Sequence, residues 1–232
     1  MRMRTKPWAR PELAVCDYFV KEPQEYKGKW NEWFPQKQPL QLELGCGKGT
    51  FMAELALQNP NINYLAIDIN SDVLGVARRN IESAFSAEGR SVQNIALLSF
   101  DIERILLMMD ESDTVERIYI NFCNPWPKGK HHKKRLTHTR QLEKYKTFLA
   151  DGGEIFFKTD DENLYLATLR YLEASGYEVI DQTTDLHAQQ TEHVPLGTMN
   201  AENIMTEHEK MFAEQGVPIK ALVARYHKIP LL

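Results

Sequence analysis

Leu40-Gln-Leu-Glu-Leu-Gly-Cys-Gly-Lys-Gly-Thr50 decides the fold. Leu40 to Leu44 reads as a strand, and Gly45, Gly47 and Gly49 follow it in a G-x-G-x-G turn. A helical stretch from Thr50 must end near Asn59, because Pro60 disfavours helical geometry in the residue before it. A strand that runs through a glycine turn into a helix opens a βαβ unit, and the same rhythm repeats downstream. Tyr64 to Ile67 is a second strand ending at Asp68. The helix after it starts at Ser71, expected as its N-cap, and carries Val73, Leu74, Ala77, Ile81 and Phe85 on one stripe. Further strands are expected at Ile95 to Leu98 (ending near Asp101), Ile118 to Ile120 (ending at Asn121 to Asn124) and Glu154 to Lys158 (ending at Thr159-Asp160). Tyr177 to Ile180 and Lys220 to Tyr226 supply two more, the last after an irregular stretch from Asp185 to Asn203 and a helical one from Ile204 to Gln215. The expectation is an α/β fold with a mostly parallel seven-stranded sheet and helices on both faces. Residues 1–38 show no βα rhythm and read as an N-terminal extension with a basic start.

Composition excludes several classes. The 232 residues are 43% hydrophobic and 26% charged, as in an ordinary soluble globular protein. No run of about 18 apolar residues supplies a membrane helix, and the basic start lacks the apolar stretch of a secretory signal. Cys16, Cys46 and Cys123 are too few and too far apart for a disulfide framework or a metal site, which suits a reducing cytoplasm. A net charge of −4 argues against a nucleic-acid partner until its distribution is read. Arg2, Arg4, Lys6 and Arg10 precede the first acid, Glu12. Between Asn124 and Gln141 there is no acid, while Lys128, Lys130, Lys133, Lys134, Arg135 and Arg140 crowd together. A local field, not the chain total, attracts phosphate. A solvated loop is the plainer reading of such a run, and its place beside a strand end argues against it.

In an open parallel sheet, ligands bind at the carboxyl ends of the strands. Each expected strand end here carries acids, glycines or asparagine. The G-x-G-x-G spacing differs from the G-x-G-x-x-G of a pyrophosphate-binding turn, with Thr50 where the third glycine would fall. A methionine-derived cofactor has no phosphates but carries ammonium and sulfonium cations, so the carboxylate of Glu43 suits it. Asp68 can accept hydrogen bonds from both ribose hydroxyls, and Asp101 from an adenine amino group; the bland alternative for each is a capping acid. Asn124-Pro-Trp-Pro127 is a loop stiffened by two prolines, with Trp126 as a stacking face. A hydrophobic clasp is its alternative. Guanine presents N1–H and N2–H₂ donors on its pairing edge, for which Asp160 and Glu209 are candidate acceptors.

Together these residues resemble the bacterial tRNA (guanine-N7-)-methyltransferases, over nearly the whole chain. The resemblance rests on Met1-Arg-Met-Arg with Lys6-Pro-Trp8, Tyr26-Lys-Gly-Lys-Trp30, Glu43-Leu-Gly-Cys-Gly-Lys-Gly49 and Asn121-Phe with Pro125-Trp-Pro-Lys128. It continues through His132-Lys-Lys-Arg-Leu136, Phe157-Lys-Thr-Asp160, Asp185-Leu-His187 and Asn203-Ile-Met-Thr-Glu-His-Glu209. It implies a Rossmann-like class I methyltransferase domain over 39–232, with S-adenosylmethionine as methyl donor and N7 of a guanine in the tRNA variable loop as acceptor. It implies cofactor contacts from Glu43, Gly45, Gly47, Gly49, Asp68, Asp101 and Asn124, the last also catalytic. Lys128, Asp160, Thr206 and Glu209 would meet the substrate. Lys130, His131, His132, Lys133, Lys134 and Arg135 would meet the RNA. The family's usual Asp before Pro-Trp-Pro is Asn124 here, which puts any mechanism needing a charge at that position in doubt. No metal and no membrane are implied, and the oligomeric state stays open between monomer and homodimer.

Three rival readings fit the sequence less well. An exocyclic amino-group methyltransferase would carry Asn-Pro-Pro-aromatic, but Trp126 displaces the second proline. A nicotinamide oxidoreductase fits the βαβ rhythm but not the glycine spacing or the basic run. A non-catalytic RNA-binding module leaves the glycine turn and strand-end acids without a use.

Overall fold

The computed structural model describes residues 5–188 and 204–228. The basic residues Arg2 and Arg4, the stretch 189–203 with Asn203, and the last four residues lie outside that range. Eight strands form the sheet, in the order β1-β4-β3-β2-β5-β6-β8-β7. They are β1 Phe19–Val20, β2 Leu40–Leu44, β3 Asn63–Asp68, β4 Ile95–Ser99, β5 Val115–Asn121, β6 Leu149–Thr159, β7 Glu178–Thr183 and β8 Lys220–Arg225. The expected count of seven is corrected by β1, which comes from the N-terminal segment and pairs parallel with β4. Two residues are too few to show a period-2 pattern, so nothing in the sequence marked it. The chain divides into two compact units, 1–115 and 116–232.

In the first unit β1, β4, β3 and β2 are all parallel. All five residues of β2 are buried, as in a strand covered on both faces. Helix α2 (Thr50–Gln58) ends at Asn59, whose side chain donates to the Leu55 carbonyl at 2.9 Å before Pro60 stops it. Helix α3 (Ser71–Ala87) is capped by Asn70, not by Ser71: Asn70 is the residue still in extended geometry, and its side chain accepts from the Asp72 amide at 2.9 Å. Its buried stripe is Leu74, Gly75, Ala77, Ile81 and Phe85. Val73 was expected there but stays half-buried, and Gly75 takes its place because helix α1 (Ala9–Ala14) lies against it. A Cβ at Gly75 would sit 2.4 Å from the Ala9 Cβ, so the two helices approach closer than any side chain permits.

The N-terminal segment is tied down by polar contacts as well. Glu12 pairs with Arg78 at 2.9 Å and with Arg79, and the Arg79 guanidinium stacks on Trp8 with 3.6 Å to the ring centroid. Trp30 is fully buried and donates from its indole to the Met108 carbonyl at 2.8 Å. Its amide and that of Gly28 both reach the Asp113 carboxylate, at 3.2 and 2.7 Å. Residues expected as an extension therefore supply a strand and part of a core.

In the second unit β8 runs antiparallel to both β6 and β7. β6 is eleven residues long rather than the expected five, because Gly152 (φ +74°) lets its start turn and bond to Tyr226. Among the described residues three helices accompany the strands: α4 (Thr139–Tyr145), α5 (Glu162–Ala174) and α6 (Glu207–Glu214). Asp161 caps α5, accepting from the Leu164 amide at 2.7 Å. Among the described residues no helix is long and apolar enough to cross a membrane.

Candidate active site

In the first unit the glycine turn and Asp68 form one hydrogen-bonded assembly. The amides of Gly45 and Cys46 both donate to the Ile67 carbonyl, at 2.8 and 2.9 Å. The Gly47 amide donates to Asp68 Oδ2 at 3.1 Å, while Oδ1 accepts from the Asn70 amide at 2.9 Å. Gly45, Gly47 and Gly49 all have positive φ (+83°, +54° and +71°), which only glycine adopts without strain. They differ in what surrounds them. A Cβ on Gly49 would press within 2.9 Å of the Ala77 Cβ, so this glycine serves helix packing. A Cβ on Gly47 would meet nothing within 4 Å, so this one borders open space. The Gly47 amide is the one that donates to the Asp68 carboxylate.

Burial pushes the Asp68 carboxyl above the usual aspartate range, against the backbone amides of Asn70, Gly47 and Ile69 that pull it down. Glu43 is buried at the end of β2. Asp101 caps a 3₁₀ turn (Ile102–Leu107), and its Oδ1 accepts from the Glu103 amide at 2.9 Å, so the capping alternative holds for that oxygen. Ile69, which the sequence reading passed over, follows Asp68 and is 67% exposed. It leaves an apolar side chain open beside the half-buried Asp68. The signal was available: an isoleucine directly after a strand-ending acid, outside the helical stripe.

In the second unit the loop after β5 holds two non-glycine residues in left-handed geometry, Phe122 (φ +49°) and Trp126 (φ +43°). Such strain persists only where surrounding contacts fix it. Asn124 is exposed, and its Oδ1 accepts from the Trp126 amide at 3.0 Å, closing a turn through its own side chain. The Lys134 ammonium lies 5.1 Å from the centre of the Trp126 ring, and His131 meets that ring edge-on at 5.7 Å. Lys128 caps a 3₁₀ turn (Gly129–Lys134); Lys128, Lys130, Lys133 and Lys134 are exposed, while His131 and His132 are half-buried.

Arg135 differs from the phosphate ligand expected of it. It is buried, and its Nε donates to the Pro125 carbonyl at 2.8 Å, so it braces the Pro-Trp-Pro loop. Asp160 is half-buried just beyond β6, and its carbonyl accepts from Lys220 at 3.1 Å. Thr206 and Glu209 form a capping box at the start of α6: the Thr206 hydroxyl accepts from the Glu209 amide at 3.0 Å. Glu209 is fully buried, 2.9 Å from the Lys158 ammonium, which the sequence reading had quoted in a motif without giving it a role. Of the four residues expected on the substrate, Thr206 and Glu209 are thus engaged with the start of their own helix. A lysine closing the apolar run Ile155-Phe-Phe157 was the sign that a buried partner would be needed.

The comparisons agree with this architecture. The family model described as "Putative methyltransferase" matches residues 37–222. Two solved structures, an antibiotic-related methyltransferase (TM-score 0.56) and a 16S rRNA methyltransferase (TM-score 0.54), each superpose over 97% of this chain. They cover 97% and 96% of those chains at 12% identity, which shows the fold alone. At the level of sequence the chain is 56% identical to the tRNA (guanine-N7-)-methyltransferase of Clostridium beijerinckii, over 97% of this chain and 98% of that one. It is 52% identical to those of Ruminiclostridium cellulolyticum and Clostridium perfringens, over 97% of this chain and 92% and 99% of theirs. On a likeness of that degree, end to end, the chain belongs to the tRNA (guanine-N7-)-methyltransferase family of class I methyltransferases.

Proposed function

We propose that the chain transfers the methyl group of S-adenosylmethionine to N7 of a guanine in the variable loop of tRNA, in the cytoplasm. The observation that carries the reading is the open cradle at Gly47 beside an acid held by backbone amides, in a chain of this family. The residues fit such a cofactor. Asp68 would accept from the ribose hydroxyls, Ile69 would lie against the adenine, and Asp101 would accept from its amino group. The buried carboxylate of Glu43 would balance cofactor cations. When bound, the cofactor supplies an electrophilic methyl on a cationic sulfur.

The protein's own task is placement. N7 of guanine holds a free lone pair, so no base has to remove a proton before attack. Nucleophile, methyl and sulfur must lie in line at roughly 3 Å. Asp160 is the acid we assign to the guanine pairing edge, where a negative charge favours the positive charge that moves onto the purine. Asn124 orients ligands through its amide and holds the loop turn, neither of which needs a charge. An Asp in its place could accept the same Trp126 amide. Lys128, Lys130, Lys133 and Lys134 would meet RNA phosphates, with His131 and His132 beside them. Arg135 braces the loop beneath them, and Thr206 and Glu209 hold the start of α6.

Incubating an unmodified tRNA transcript with methyl-labelled cofactor, then digesting it to nucleosides, tests the reading. Label is expected in 7-methylguanosine; label in an exocyclic-amino product would favour the rival enzyme class, and no label would remove the reading.

Cofactor affinity is expected to fall as pH drops. Asp68 binds as the carboxylate, and its raised pKa makes it protonate earlier than an ordinary aspartate. Calorimetric titration at descending pH should show the loss beginning above the usual aspartate range. Asp68→Asn should bind about 1.5–3 kcal/mol more weakly and lose that pH dependence. Gly47→Val, which fills the cradle, should bind weakly at every pH. Parental affinity in both folded variants would remove the assignment.

Replacing Lys130, Lys133 and Lys134 by Ala should weaken tRNA binding and flatten its salt dependence, by about 0.7–0.9 log units per lost phosphate contact. Arg135→Ala should instead lower the melting temperature, since it frees the Pro125 carbonyl. A triple variant with the parental salt slope would reduce the patch to a solvated loop.

A further inference from the structure

Helix α6 is docked in an unusual way. Its buried residue is Glu209, a carboxylate, where a surface helix ordinarily presents an apolar face. Lys158 on β6 meets that carboxylate. Its ammonium donates to Glu209 Oε2 at 2.9 Å and to the Ile204 carbonyl at 3.2 Å, so it grips the helix and the chain leading into it. On the far oxygen, His187 Nε2 stands 3.5 Å from Glu209 Oε1. The turn that presents His187 is itself fixed: its amide donates to Asp185 Oδ1 at 3.2 Å, and the Leu186 amide to the Ile219 carbonyl at 2.8 Å.

The backbone of the same lysine reaches in another direction. The Lys158 carbonyl accepts from the Phe122 amide at 2.9 Å, which helps hold Phe122 in its left-handed conformation. The Phe122 ring in turn stacks on α6, against His208 (6.0 Å, 20°) and Phe212 (6.0 Å, 26°). Lys158, Phe122 and α6 therefore close a triangle, with an ion pair on one side, an aromatic stack on the second and a backbone bond on the third. Asn124 lies two residues beyond Phe122, and Asp160 two beyond Lys158.

We propose that Lys158 is a positioning residue for the methyl-acceptor base, and that His187 is its second brace on Glu209. Lys158 sets the Asn124 loop, Asp160 and α6 in one arrangement without touching the reacting atoms. This rests on the reading above, in which Asp160 meets the guanine and Asn124 orients the ligands. Removing the ammonium takes the Lys158 charge away from a buried carboxylate, a cost relieved when α6 leaves its seat. The expected consequence falls mainly on the RNA substrate, because Glu43, Asp68, Ile69 and Asp101, assigned above to the cofactor, belong to 1–115.

The test uses the full chain with Lys158→Met, the double variant Lys158→Met/Glu209→Gln, and His187→Ala. Amide hydrogen exchange over residues 206–214 reports whether α6 is seated; methylation kinetics and cofactor calorimetry report the consequence. Lys158→Met should speed exchange in α6 and raise the KM for tRNA about tenfold or more, with cofactor Kd within about twofold of the parent. The double variant should regain protection, because no charge is then stranded. A lysine serving only as bulk would not be rescued by neutralising another residue. His187→Ala, at a half-buried site, should show the same changes on a smaller scale and keeps the test decisive should Lys158→Met fail to fold. Parental exchange in α6 for the single variants, a cofactor Kd rising in step with the tRNA KM, or no regain in the double variant would overturn the proposal. A parent that makes no 7-methylguanosine would end the functional reading, while the exchange data would still decide whether Lys158 seats α6.

Discussion

Three consecutive amides, those of Gly45, Cys46 and Gly47, reach across to the end of the neighbouring strand: two to the Ile67 carbonyl and one to the Asp68 carboxylate. The constraint fixes the first unit. It ties β2 to β3 at their carboxyl ends, and it needs left-handed backbone at three positions within five residues. It also sets where α3 begins, because Asp68 is shared between the turn and the Asn70 amide that precedes that helix. Gly49 and Gly75 then let α3 lie close to its neighbours on two sides, at Ala77 and Ala9. An acid so placed cannot move without the turn, and that suits the role proposed for it, holding two hydroxyls in fixed geometry.

The second unit is organised differently. Its loops are held by side chains: Asn124 on the Trp126 amide, Arg135 on the Pro125 carbonyl, Lys158 on Glu209 and Ile204. Two non-glycine residues keep left-handed geometry because these contacts over-determine it. Methyl transfer to a lone pair already free asks for positions rather than proton movements, and polar clasps that fix positions are what this unit provides. The exposed lysines sit on the surface of the same clasped segment, so the loop that would orient the base is continuous with the one that would hold the phosphates.

Much of this was legible in the sequence, for identifiable reasons. The strands β2, β3 and β4 are short, apolar-rich segments bounded by turn residues, and each was legible within a residue or two. The G-x-G-x-G turn and Asp68 announced themselves by residue type at strand ends. What the sequence hid was pairing between distant residues. β1 is two residues long and is defined by its partner. Arg135 looks like its basic neighbours and differs only by the Pro125 carbonyl ten residues away. Glu209 reads as a solvent-facing acid until Lys158, 51 positions earlier, is found against it. Ser71 and Asn70 are equally good caps by type, and backbone geometry alone chooses between them. Residue type fixed the chemistry on offer; tertiary contact decided which groups stay available for a ligand.

The central claim is that this site works by placement and needs no ionisable group at position 124. Single-turnover methylation of tRNA with both substrates saturating, followed from about pH 6 to pH 9, tests it directly, since a required proton transfer would give the rate a titration limb. The account predicts a flat profile for the parent, and for Asn124→Asp a rate at least comparable across the range. A parental rate that climbs in proportion to hydroxide concentration, or negligible parental activity restored only by Asp at that position, would contradict it.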